Sequence, residues 1–223
     1  MKIIARIHND FKEKFGIPRQ SGIADKFISK IVFEPEYRVR EALRGIEGYS
    51  HLWLIWQFSE ATRDSWSPTV RPPRLGGNCR MGVFATRSPY RPNPIGLSSV
   101  RLLEVKETKG EGVVLIVSGA DLLDGTPIYD VKPYLSFTDS HPDATCGFAD
   151  EVKDYSLKVS FPEGLIKRIE SAKRESLITL LENDPRPSYK ADGERVYTFA
   201  YAKYEISFKV EGGILTVTDV EEK

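Results

Sequence analysis

Along the first 134 residues, hydrophobic side chains come in short runs broken by glycine, proline and aspartate, a rhythm that suits strands and tight turns. Residues 2–7 alternate loosely and are rich in isoleucine, and residues 27–33 form a second apolar run, so both are predicted as strands. Residues 35–44 place Tyr37, Val39, Ala42 and Leu43 at helical spacing with Pro35 in the first turn, which predicts a short helix ended by Gly45 and Gly48. HLWLIWQF (residues 51–58) is nearly continuous in its hydrophobicity and predicts a strand buried on both faces or lying at a subunit contact. Strands follow over residues 81–85, 95–106 and 112–118, the last two joined by a turn at 109–112. Asp124-Gly125 then predicts a further hairpin within residues 118–134.

Beyond residue 134 the pattern weakens into Pro, Asp, Ser and Thr until about residue 154, which marks a boundary. Two helical stretches follow at 162–169 and 172–181, with Leu165, Ile166, Ile169, Leu177, Leu180 and Leu181 inward and Pro185 as the stop. Three strands over 196–201, 204–210 and 214–220 close the chain, the last pair joined by Gly212-Gly213, a hairpin signal. The fold class is therefore mainly β with some α, a larger domain over residues 1–140 followed by an α+β subdomain over 141–223.

Residues 71–98 stand apart, with Arg71, Arg74, Arg80, Arg87 and Arg91 set among five prolines and four glycines. Guanidinium forks suit phosphate and carboxylate. The prolines present them on stiff, extended backbone, and preorganised loops bind at lower entropic cost. The formal net charge is +0, which excludes a protein that holds RNA by bulk charge, so affinity for a polyanion must come from this local patch.

PRLGGN (73–78), GVFATRSPYRPNPIGLS (82–98), DLLDGTPIYDVKPY (121–134), FGIPRQSG (15–22) and DPRPSY (184–189) together resemble the TsaA-like (TrmO) family, in the family's order and over nearly the whole chain. The resemblance implies a tRNA methyltransferase that uses S-adenosylmethionine to methylate N6 of threonylcarbamoyladenosine at position 37. It implies a homodimer whose protomers carry a small, single-sheet β-barrel-type methyltransferase domain, and the number of predicted strands is about what a barrel needs. It also implies donor contacts at Gln20, Ser21, Gly22, Ser59, Glu60, Arg87, Asp124, Gly125, Thr126 and Pro127, with Arg87 and Asp124 as positioning candidates. The anticodon stem-loop of tRNA would meet Arg71, Arg74, Arg80, Arg91, Asp184 and Arg186, together with Lys12 and Lys14. Tyr90 or Tyr189 would stack on an unpaired base. IHNDF (7–11) departs from the family's pattern, the one hint toward an alternative, a non-enzymatic RNA- or phosphate-ligand-binding barrel.

Little else competes. Cys79 and Cys146 have no CxxC spacing and there are three histidines, so neither a zinc site nor a disulfide framework is signalled and no metal is expected. Asp121, Asp124 and Asp130 could hold a metal in a phosphoester hydrolase, a second rival. His51 reads as a structural histidine, and Trp53 and Trp56 as core. No signal peptide or membrane-length apolar stretch occurs, so a cytoplasmic protein is expected.

Overall fold

In the computed structural model, the described residues are 1–18, 21, 26–60, 65–75, 79–153, 155–186 and 195–223; the side chains of residues 74 and 152 lie outside the description. The larger sheet comprises β1 (Ala5–His8), β2 (Ile28–Phe33), β3 (His51–Gln57), β6 (Ile95–Thr108), β7 (Gly112–Ser118) and β8 (Pro127–Pro133). Between β3 and β6 lies a two-residue pair, β4 (Thr69–Val70) with β5 (Met81–Gly82). The six strands hydrogen-bond in the closed order β1-β2-β7-β6-β3-β8 and back to β1, every pairing antiparallel, so the sheet is a closed barrel. Closure leaves no open edge to pair with another chain.

Alternation explains the barrel core. In β3, Leu52, Leu54 and Trp56 are buried while the residues between them are half exposed. The prediction of a strand buried on both faces is thus corrected: one face fills the barrel, and the other carries His51, Trp53 and Gln57 at its surface. Ala5, Ile7, Ile31, Phe33, Val100, Leu115, Val117 and Ile128 complete the interior.

Several predicted elements differ in kind. Residues 35–44 form two separate 3-10 turns, Pro35–Tyr37 and Arg40–Leu43, not one helix, because Arg38 and Val39 leave helical geometry between them. A third turn, Ile46–Gly48, follows Gly45, which has φ +87°. The strand expected over 81–85 stops at Gly82 and becomes the 3-10 turn Val83–Ala85. Residues 118–134 are not a hairpin: β7 pairs with β2 and β6, whereas β8 pairs with β1 and β3. Asp124-Gly125 instead closes a loop that crosses from one side of the barrel to the other.

After β8 the barrel part ends in α1 (Ser136–Asp139), and the C-terminal part holds β9 (Lys158–Ser160), α2 (Glu163–Ile166), α3 (Ser171–Glu182), β10 (Tyr197–Tyr201), β11 (Tyr204–Glu211) and β12 (Ile214–Glu222). Its sheet runs β10-β11-β12-β9, with β9 parallel to β12 and the rest antiparallel. Gly212 (φ +56°) and Gly213 (φ +77°) make the β11–β12 turn, two positive φ values that match the twist of a tight hairpin. Leu177, Leu180 and Leu181 of α3 press onto Phe199, Ile206 and Phe208. Phe11 and Phe27 join the same cluster, their rings 4.9 Å apart and Phe27 edge-on to Tyr201 at 6.0 Å. Two aromatic anchors from the first thirty residues thus belong to the second core.

Candidate active site at the barrel rim

Trp56 is buried in the barrel mouth because its position in β3 faces inward. Its indole Nε1 donates to Ser98 Oγ at 2.9 Å, and Ser98 Oγ donates in turn to Asp121 Oδ1 at 2.5 Å. The backbone N–H of Ser21 also donates to this carboxylate, and the Arg87 charge acts on it. Burial pushes the Asp121 carboxyl above its usual range, while the Ser98 hydroxyl, the N–H groups and Arg87 pull it back. Ser21 and Arg87, 66 positions apart in sequence, are therefore joined through one half-buried acid that sequence reasoning had noticed only as a possible metal ligand.

The second anchor is the Asp124 turn. Asp124 Oδ1 accepts from the Asn9 N–H at 3.0 Å and Oδ2 from Lys12 Nζ at 2.6 Å, with His8 Nδ1 at 3.5 Å. Partial burial works against its ionisation, but Lys12 and Asn9 outweigh it and hold the carboxyl below its usual value. Gly125 at φ +77° donates its N–H to Ile7 O at 2.8 Å, and its own carbonyl accepts from Arg6 Nη1 at 3.1 Å. Thr126 and Pro127 are buried as the chain enters β8. The Asp124 side chain thus bonds to Asn9 and Lys12. Residues 7–11, the stretch that departs from the family's pattern, supply two of its three partners, His8 and Asn9. Asp10 also pairs with Lys173 of α3 and its carbonyl accepts from the Ala202 N–H, so this stretch ties both cores together.

Beside these anchors, Ser59 and Glu60 follow β3, and Lys14 Nζ bonds the Glu60 carbonyl while lying 3.6 Å from its carboxylate. The arginine-rich stretch projects from the β4–β5 pair. Arg71 is exposed, Arg80 Nη1 donates to Thr69 Oγ1 at 3.3 Å, and Arg91 Nη1 donates to Thr86 O at 3.3 Å. Tyr90 is exposed, as are Trp66 and Phe84, whose rings lie 6.0 Å apart. Arg74 sits in the 3-10 turn Pro73–Leu75. Gln20, Gly22 and Tyr189 lie outside the described residues.

Asp184 and Arg186 pair with each other. Asp184 is 3% exposed and φ +49°, its oxygens accepting from Arg186 Nε at 2.8 Å, Arg186 Nη2 at 2.9 Å and Tyr155 Oη at 2.8 Å. Buried and paired in this way, Asp184 braces the turn that carries Arg186. Asp130 pairs with Lys132 at 3.0 Å, so the three carboxylates of 121–130 have three separate sets of partners. Among the described residues no group of three His, Cys, Asp or Glu side chains could hold a metal ion.

On the outer surface of β3, β6 and β7 lies a 480 Å³ hollow lined by Ser21, His51, Trp53, Ser99, Arg101, Ser118, Tyr134 and Asp139. Trp53 and Tyr134 are 5.4 Å apart, and Trp53 Nε1 donates to Asp139 Oδ2 at 2.7 Å. Sequence reasoning missed this hollow, along with Ser98, Asn9 and Arg101. Ser98 had a signal in its place at the end of the 82–98 motif, whereas Asn9, in the stretch that departs from the family's pattern, and Arg101 had none.

A closed antiparallel barrel with arginines near its rim and an aromatic hollow on its outer surface sets the class, a small β-barrel protein. More particularly, the chain belongs to the tRNA-methyltransferase O family, whose N-terminal domain model matches residues 6–140 and whose C-terminal domain model matches residues 154–223. It is 44% identical over 203 residues to tRNA (adenine(37)-N6)-methyltransferase of Escherichia coli (strain K12), covering 88% of this chain and 86% of that protein. A putative S-adenosylmethionine-dependent methyltransferase of Pseudomonas aeruginosa is 40% identical over 195 residues, 84% of this chain and 81% of the relative. The crystal structure of TrmO from Pseudomonas aeruginosa superposes with a TM-score of 0.77 at 32% identity, covering 98% of this chain and 97% of that one.

Proposed function

We propose that this protein is an S-adenosylmethionine-dependent tRNA methyltransferase acting on N6 of threonylcarbamoyladenosine at position 37. The observation that carries the reading is the family match across both parts of the chain. In this reading residues 1–140 form the donor-binding barrel, and residues 141–223 form a subdomain whose core takes in Phe11 and Phe27.

S-adenosylmethionine, when bound, supplies a methyl group on a cationic sulfur. The residues present fit it: Arg87 and Glu60 offer opposite charges to a ligand that carries both a carboxylate and an ammonium group. Ser21, fixed by Asp121, and the backbone of the Asp124–Pro127 turn would complete the pocket, with Gln20, Gly22 and Ser59 contributing by resemblance. The acceptor nitrogen is a weak nucleophile because its lone pair is delocalised. The chain's task is therefore orientation in a preorganised site. Asp121 serves as a positioning residue that holds the Ser21 backbone toward Arg87.

Arg71, Arg74, Arg80 and Arg91 meet RNA phosphates, and Tyr90 is available for base stacking. Charge reversal at Arg71 or Arg91 should weaken tRNA binding about tenfold and lower the slope of log affinity against log salt by about one, with S-adenosylmethionine affinity unchanged. Unaltered tRNA affinity in both variants at low salt would remove these arginines from the interface.

A homodimer is part of the proposal, as the resemblance to the family implies. Sedimentation equilibrium reads it directly. Among the described residues no helix is long and apolar enough to cross a membrane, and we place the reaction in the cytoplasm with its tRNA substrate. The deciding experiment incubates the protein with S-adenosylmethionine and threonylcarbamoylated tRNA, digests to nucleosides and looks for the added methyl by mass, with unmodified tRNA alongside. No methyl on either tRNA would overturn the reading.

A further inference from the structure

The hollow over β3, β6 and β7 shares one residue, Ser21, with the expected donor contacts and is otherwise separate from them. Its chemistry is specific. Trp53, Tyr134 and His51 form an aromatic wall, with Tyr134 5.4 Å from Trp53 and 6.1 Å from His51. Opposite register partners bring Arg101 of β6 to His51 of β3 and to Ser118 of β7. The Arg101 guanidinium is exposed and makes no hydrogen bond or ion pair with the described residues. Ser21, Ser99 and Ser118 add hydroxyls.

We infer that this hollow is the acceptor subsite, in which the aromatic wall takes the modified purine and Arg101 takes the carboxylate of its threonyl group. The inference rests on the methyltransferase reading above. A planar ring bearing an anionic substituent needs a stacking face and a guanidinium fork at one site, and the hollow supplies both. Its volume falls in the range of small-ligand pockets. The one carboxylate in the lining, Asp139, is occupied by the Trp53 indole and by the Leu135 N–H at 3.0 Å, so it orients the wall and leaves the cation to the ligand. Ser21 at the shared border puts the purine next to the donor loop, where its exocyclic nitrogen has to be.

The test compares wild type with Arg101→Ala and Arg101→Lys on two tRNAs, one carrying threonylcarbamoyladenosine and one with the threonine carboxylate capped as its methylamide. Wild type should lose ten- to a hundredfold in kcat/KM on capping. Arg101→Ala should show that loss on the uncapped tRNA and almost no further loss on the capped one, mostly in KM, with Arg101→Lys between. Additive losses, or wild-type kcat/KM in Arg101→Ala, would overturn the assignment, as would weakened S-adenosylmethionine binding, which would make the hollow part of the donor site. Calorimetry with free threonylcarbamoyladenosine reads the subsite without turnover, and binding should fall at least tenfold in Arg101→Ala. A wild-type enzyme that methylates neither tRNA would sink the function itself, whereas an active enzyme indifferent to Arg101 would sink only the subsite.

Discussion

Gly96→Ala should lower stability by about 3 kcal/mol, read as a fall in the urea midpoint, and should weaken S-adenosylmethionine binding as well. A Cβ at Gly96 would lie 2.2 Å from Trp56 Cε2 and 2.4 Å from Cζ2, far inside contact distance. The indole cannot swing away cheaply. It is 5% exposed, hydrogen-bonded to Ser98, and packed 4.2 Å from the Phe58 ring. Movement of Trp56 would pull on Ser98 and so on Asp121, which holds Ser21. The loss of stability and the loss of donor affinity therefore share one cause. Gly82→Ala is the control, since nothing lies within 4 Å of its Cβ position, and it should stay within about 0.5 kcal/mol of wild type. A Gly96→Ala protein as stable as the control would show that the barrel mouth is loosely packed.

Asp184→Ala should cost about 3 kcal/mol, because Arg186, whose side chain is 12% exposed, would lose the carboxylate to which both its Nε and its Nη2 donate. Asp184→Asn, which tolerates the left-handed backbone at φ +49°, separates the electrostatic part from the conformational part. Adding Arg186→Met to Asp184→Asn should recover much of the loss, since removing both charges costs less than removing one. The pH dependence has a definite sign. Burial works against the Asp184 charge, but Arg186 and Tyr155 outweigh it, so the carboxyl is held below its usual range in the folded protein. This contribution is fully present above the unfolded carboxylate value of about 3.9 and is lost as pH falls through the lower folded value. Wild type should therefore lose more stability between pH 5 and pH 2 than Asp184→Asn does. Parallel pH profiles for the two proteins would dissociate the pair from acid unfolding.

Much of the strand pattern was open to reading from the chain. β2, β7 and the β11–β12 hairpin lie within a residue or two of their predicted bounds because alternation and Gly212-Gly213 are local signals. The two 3-10 turns in place of a helix at 35–44, and the crossing loop in place of a hairpin at 118–134, were not legible. Both depend on which strands stand beside them: the Asp124 turn is held by Ile7, Asn9 and Phe11, more than a hundred residues earlier. The commitment of Asp124 to Lys12 and of Asp184 to Arg186 could not be read either, since a carboxylate in a motif looks the same whether it faces a ligand or a neighbour.

By itself, then, the sequence determined the family, the mainly β character and the arginine-bearing stiff loop, because motifs, side-chain period and proline placement are properties of adjacent residues. Only the tertiary structure decided that β1 closes onto β8, that Asp121 gathers Ser98, Ser21 and Arg87, and that Arg101 meets an aromatic wall. Those relations come from strand register and closure, which bring together groups dozens of residues apart and are set by the packing of the whole barrel.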